Sequence, residues 1–315
     1  AQRYHTNHRF MRREIKDYAD NFRLTAFLID GLSEVAAYHS QEYQIMAKLR
    51  EEGFQRAMRG DEVFGWSFHA NSIPEGFALA NLRRLRNVNG LRQIIQPEYY
   101  EILCEASDNA VSYAMSEVEG LTPNQAKDFF YFSHRLQCYL QTSSYYKQIE
   151  LDHRNILLDD PILDFIAKIP DHLRVDKLLY RKTIAREFPE LAKIPLAQES
   201  NLESWVKVLG TETPVRSFAE SELLDHSSQI WEFINPIGIS KTISALQDCA
   251  REELAPSHKI HPKALLKNTL GFIAPKILLK IRARNFSNPH STVKLDEIVM
   301  RALTLKNWID TFHQQ

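Results

Sequence analysis

Apolar residues recur at helical spacing through most of the chain. From Tyr38 to Glu52, the positions Tyr38, Ile45, Met46 and Leu49 share one face, and Gly53 offers the residue that most easily closes a helix in the left-handed conformation. Phe54 to Met58 then lead into Arg59-Gly60-Asp61-Glu62-Val63-Phe64-Gly65-Trp66, which reads as a brief strand followed by an acidic turn. Further helices are expected from Glu98 to Glu119 behind Pro97, and behind Thr122-Pro123-Asn124-Gln125. There a capping threonine, a proline at the first helical position and a glutamine at the third can satisfy otherwise unpaired backbone donors. Asp160-Pro161 opens a helix through Lys168 that Pro170 ends, and Asp176 to Glu187 forms another before Phe188-Pro189. Pro195 and the polar run Gln198 to Asn201 mark a seam. Beyond Trp205 the pattern predicts a helix from Ala219 to Phe233, a turn at Asn235-Pro236-Ile237-Gly238 and a last helix from Asp296 to His313.

Composition sharpens this picture. With 315 residues against roughly 150 for a common domain, the chain has room for one large or two ordinary domains. Ten glycines are about 3% of the chain against a usual 7%, which favours helix and leaves little material for long phosphate-binding loops. Lys+Arg 39 against Asp+Glu 40 implies no general affinity for nucleic acid. Cys104, Cys138 and Cys249 are odd in number and widely spaced, which suits a reducing cytoplasmic setting better than a disulfide framework or a zinc site. No run of eighteen uncharged apolar residues is present, and the best approach to one, Leu270 to Ile281, is interrupted by Pro275, Lys276 and Lys280. Ala1 carries no initiator methionine and reads as an excision point.

One charge asymmetry stands out. Between residues 255 and 295 there is no acid, while Lys259, Lys263, Lys267, Lys276, Lys280, Arg282, Arg284 and Lys294 supply positive charge. Such a segment suits peripheral contact with an anionic membrane or a carrier, or else forms a solvated helix face whose other side, with Leu266, Leu270, Ile273 and Ile277, packs on the core. Candidate chemistry is sparse. His5 with His8, and His258 with His261, have helical spacing but no third ligand. Ser143-Ser144 lacks the glycines of a nucleophile elbow. Gly60-Asp61-Glu62 sets two carboxylates after a probable strand, a pattern that can hold Mg²⁺ against phosphate oxygens and equally serves as a solvated turn. Asp152 to Pro161 places acids and Arg154 around an apolar run, as an ion pair and helix cap would also require.

Three segments in order resemble the synthetase domain of the asparagine synthase family. Ala1-Gln2-Arg3-Tyr4-His5-Thr6-Asn7-His8 is similar to its A-x-x-L-G-T-x-H segment, Gly60-Asp61-Glu62-Val63-Phe64-Gly65-Trp66 to the end of S-G-x-G-x-D-E-x-F-G-G-Y, and Asp152-His153-Arg154 through Leu157-Leu158-Asp159 to E-x-R-x-P-F-L-D. Phe165, Pro170 and Lys177-Leu178-Leu179-Tyr180-Arg181 echo later family positions. The likeness covers residues 1–205 and leaves 206–315 as a helical extension. The family's S-G-G-x-D-S phosphate loop is found nowhere in the chain and would be expected ahead of Ala1, together with the first strand and any glutaminase domain. Arg56-Ala57-Met58-Arg59 stands where the family has glycines and an acid, and Ser143-Ser144 where it has an Asp-Arg pair.

The resemblance implies an α/β fold, an adenine-nucleotide-hydrolase-like parallel sheet with helices, of which this chain would be a predominantly α-helical portion with a remnant of the sheet. It implies ATP and Mg²⁺ as cofactors, a small-molecule carboxylate as substrate, and an upstream glutaminase domain or separate amine donor. Asp61 would hold Mg²⁺ with help from Glu62. Gly60 and Arg181 would lie near the nucleotide, Lys177 would face the phosphates with Lys193 as its rival, and Arg154 and Asp159 would shape the third motif. A non-catalytic interaction protein that keeps the fold and docks through 255–295 is the alternative.

Overall fold

A computed structural model describes residues 6–11, 17–60, 68–194, 204–254 and 291–313. The expected strand-ending motif at Asp61 to Trp66, the seam near Pro195 and nearly all of the basic segment therefore lie outside the described residues. Three short helices, α1 (Tyr18–Leu28), α2 (Val35–His39) and α3 (Glu42–Glu51), lead into strand β1 (Arg56–Arg59). Next come α4 (Ile73–Leu79), β2 (Val88–Asn89), α5 (Leu91–Ile94), α6 (Pro97–Ser116), α7 (Pro123–Phe130), a π-helix (Tyr131–Leu140) and α8 (Thr142–Gln148). Strand β3 (Asp152–Asn155) precedes α9 (Asp160–Ala167), α10 (Asp171–Arg174), α11 (Leu178–Glu187) and α12 (Pro189–Ala192). The last part holds α13 (Trp205–Gly210), α14 (Pro214–Leu223), α15 (Pro236–Leu254), β4 (Ser291–Thr292) and α16 (Leu295–His313).

The described chain is thus mostly helical, with two small parallel sheets. β1 pairs with β3 in the register Arg56 to Asp152 through Arg59 to Asn155, and β2 pairs with β4. The strand begins at Arg56, inside the stretch read as its lead-in, and ends at Arg59, immediately before Gly60. Its burial alternates, with Ala57 and Arg59 turned inward and Arg56 and Met58 outward, the pattern of a strand covered on one face.

Several helix boundaries follow directly from capping chemistry. Thr122 accepts from the Gln125 backbone while Gln125 Oε1 accepts from the Thr122 N–H, closing the predicted capping box at α7. Gly53 takes φ +92° after α3, as its place in the sequence predicted. Two expectations fail for identifiable reasons. Asn235-Pro236-Ile237-Gly238 is a helix start, because Asn235 Oδ1 accepts from the Ile237 N–H at 3.0 Å and Pro236 occupies the first helical position, where it forfeits no bond. The helix expected across Ala219 to Phe233 is α14, which stops at Leu223. Asp225 accepts from Ser227, and a short 3₁₀ turn at Gln229–Glu232 follows.

The largest core joins both ends of the chain. Tyr18 and Phe22 of α1 stack at 6.0 Å and pack with Phe218, while Leu246 of α15 and Met300 and Leu303 of α16 complete the cluster. The boundary expected at residue 205 therefore does not divide this core. A second cluster, around Phe77 and Phe130 with an edge-to-face approach of 5.3 Å, holds α4 to α7. A third, around Ile166 and Ile169, ties α9 and α11 to the π-helix.

Candidate functional site

The β1–β3 pair is small, but it sets the start of the third resembling segment beside the strand that leads into the second. β1 ends on Arg59 and β3 on Asn155, so both chains leave the sheet at the same end, where ligands gather in open parallel sheets. A cavity of about 690 Å³ opens there, within the usual size of ligand sites. Arg59, His153, Arg154 and Asp159 contribute charge or titratable groups to its lining. Aliphatic lining comes from the π-helix and the segment after β3. A second cavity of about 750 Å³ runs along the other end of the strands past Arg50, Gln55 and Asp152.

The floor is held by α8. Ser143, Ser144 and Lys147 are all buried there, and the Arg59 guanidinium donates to Ser144 Oγ. Lys147 is paired with Glu42 of α3, and its ammonium lies 5.5 Å from the Tyr146 ring centroid. Burial alone would push the Glu42 carboxyl up, but the His39 hydrogen bond and the Lys147 charge outweigh it and bring it down to about 2. Buried Lys147 thus remains compensated, and α8 is anchored to α3.

His153 stands between these groups. Its ring nitrogens are shielded from solvent and have no hydrogen-bond partner. Desolvation, followed by the positive charges of Lys147 and Arg59, lowers its pKa against the weaker opposing pull of Asp152. The imidazole is therefore held neutral at physiological pH, and two polar atoms go unsatisfied beside the cavity. That is an uncommon arrangement in a relaxed core.

On the outer face, Asp152 lies between two arginines, with Arg154 Nε at 3.1 Å and Arg56 Nε at 3.3 Å. Arg154 is exposed, so this contact orients Asp152 with little energetic weight. Asp159 precedes α9 and lines the cavity without a side-chain capping bond; its carbonyl accepts from the Ile162 and Leu163 backbones. Gly60 is exposed just beyond β1, and a Cβ there would meet nothing within 4 Å. Asp61 and Glu62 lie outside the described residues.

Lys177 and Arg181 are placed apart from this group, and neither lines either cavity. The helix expected from Asp176 begins at Leu178, because Asp176 and Lys177 adopt left-handed conformations in succession, φ +53° and +56°. For non-glycine residues each costs on the order of 1 kcal/mol or more. Arg181 pairs with Asp176 across this kink. Lys177 is exposed on the surface, with its amine lowered from the ordinary lysine value by desolvation. Lys193 is exposed and paired with Glu190 at 2.9 Å.

Sequence reasoning did not single out Arg59, Ser144 or His153 as site residues. Arg59 appeared in the strand reading and as a departure from a family pattern, Ser144 as part of a rejected nucleophile elbow and as another such departure, and His153 as a letter inside the third motif. Alternation of burial in β1 and β3 was the available signal, since it turns Arg59 and His153 to the same covered face. Among the described residues no group of three or more His, Cys, Asp or Glu side chains could hold a metal ion, and no helix is long and apolar enough to cross a membrane. No family model, curated protein or solved structure matches the chain. The fold and site thus define a largely helical protein with an arginine-lined cavity at the carboxyl end of a parallel strand pair.

Proposed function

We propose that this chain carries the carboxylate-activating part of an ATP-dependent amide-forming ligase, in which a carboxylate is adenylated and then attacked by ammonia or an amine, releasing AMP and pyrophosphate. The parallel register of β1 with β3 is the observation that supports this reading. It pairs the start of the third segment resembling the asparagine synthase family with the strand just before the second, and the carboxyl ends of both strands line one cavity. Arginines at that edge suit carboxylate and phosphate groups, to which a guanidinium can donate two parallel hydrogen bonds. Mg²⁺ would rest on Asp61, aided by Glu62 and by phosphate oxygens, as the resemblance implies. When bound, the ion would neutralise charge on the departing pyrophosphate.

Asp61→Ala in the full-length protein should abolish carboxylate-dependent pyrophosphate release while leaving the circular dichroism spectrum and thermal midpoint unchanged. Turnover retained by that variant would refute the assignment of Asp61. Failure of the unaltered protein to bind ATP with Mg²⁺ in a calorimeter would favour the interaction-protein alternative.

A further inference from the structure

Aspartate is the archetypal acceptor of the resembling family, yet the cavity at the β1–β3 edge is built for something less polar. Much of its lining is aliphatic, Leu136 and Leu140 from the π-helix with Ile156, Leu158 and Ile162 from the chain after β3, interrupted there by Asp159. Leu136 is buried, whereas Ile156 is 51% exposed and stands free for a ligand to cover. Tyr145, 40% exposed, extends the apolar surface. Positive charge comes from Arg59, fixed by its bond to Ser144, and from the exposed Arg154, both of which line the same cavity. Aspartate would bring an ammonium group toward these arginines and leave the aliphatic lining wet. A carboxylate with a hydrocarbon body satisfies both, with its charge on the arginines and its tail along the leucines and isoleucines.

We infer that the acceptor is a monocarboxylic acid with an extended apolar tail, seated against Arg59 and the aliphatic lining. This rests on the ligase reading for its chemistry but on the cavity alone for its ligand. Burial of each methylene on that lining should strengthen binding about fourfold.

Isothermal titration of the full chain without nucleotide, with butyrate, hexanoate, octanoate and aspartate as probes, tests it. Affinity should climb about fourfold per methylene from butyrate to octanoate, and aspartate should bind more weakly than hexanoate. Ile156→Asp, at a position exposed enough to leave folding intact, should flatten the chain-length series. Arg59→Gln should weaken octanoate by about tenfold or more. Equal affinity across the series, or aspartate binding as tightly as octanoate, overturns the inference. If the series holds while no carboxylate drives pyrophosphate release, the ligase reading falls and the acceptor class stands. If aspartate alone drives release, the reverse is true.

Discussion

Replacing Glu42 by Gln gives the most quantitative test of how the site is held. Glu42 is largely buried, accepts from His39 at 3.0 Å and pairs with the buried Lys147 ammonium of α8. Its carboxyl falls from an ordinary value of 4.5 to about 2. A group whose folded pKa is depressed contributes stability that is complete above its unfolded pKa and is lost as acidity protonates it. A depression of that size corresponds to about 3 kcal/mol, present at neutral pH and removed between pH 4.5 and 2. Glu42→Gln should therefore cost about 3 kcal/mol in urea unfolding at pH 7.5, with the added penalty of leaving Lys147 buried beside a neutral partner. The gap between wild type and variant should narrow as the pH is lowered from 5 to 3. Glu42→Gln combined with Lys147→Met should recover much of the loss, because it removes the unpaired charge as well. A loss below about 1 kcal/mol, or a gap of constant width across that pH range, would show that the pair does not hold α8 in the way argued.

Other residues give shorter tests. His153→Phe removes two unsatisfied ring nitrogens and should raise stability by about 1 kcal/mol while weakening ligand binding; thermal unfolding and titration calorimetry together check it. Because the folded His153 pKa lies below its ordinary value of 6.5, wild type should lose stability as pH falls through and below that value, and the phenylalanine variant should lose less. Lys177→Gly relieves a left-handed residue and should raise the unfolding midpoint by an amount worth about 1 kcal/mol; if Lys177 also serves the phosphates, pyrophosphate release falls in the same variant. Gly238→Ala should destabilise by about 2 kcal/mol or more in chemical denaturation, since its Cβ would sit 2.2 Å from the Gln93 carbonyl oxygen where α15 crosses α5.

What could be read from the sequence was mainly punctuation. Thr122-Pro123, Asp160-Pro161 and Gly53 fix helix ends through local bonds, and each lies where local chemistry puts it. Asn235-Pro236 misled because asparagine before proline suits a turn and a helix start equally; here Asn235 caps the helix, and Gly238 in its first turn lies close against Gln93. The π-helix had no local signature, since its residues carry ordinary helix-forming character and its widened turns are a tertiary adjustment. β1 was legible as a strand but not in its limits, because four residues are too few for alternation to set register without a partner. The site was less legible still. Asp152 to Asp159 was recognised as a unit, whereas Arg59 with Ser144 is a contact between distant segments that no spacing encodes.

The core that binds α1 to α16 also sets a timetable for synthesis. Tyr18 and Phe22 are translated about 280 residues before Met300 and Leu303, against which that part of the core closes. The β2–β4 pairing imposes the same wait, as Val88 meets Ser291. Until α16 has been made, helix α1 offers two uncovered aromatic rings to holdase chaperones, and a nascent chain stopped short of α16 lacks part of the surface that hides them.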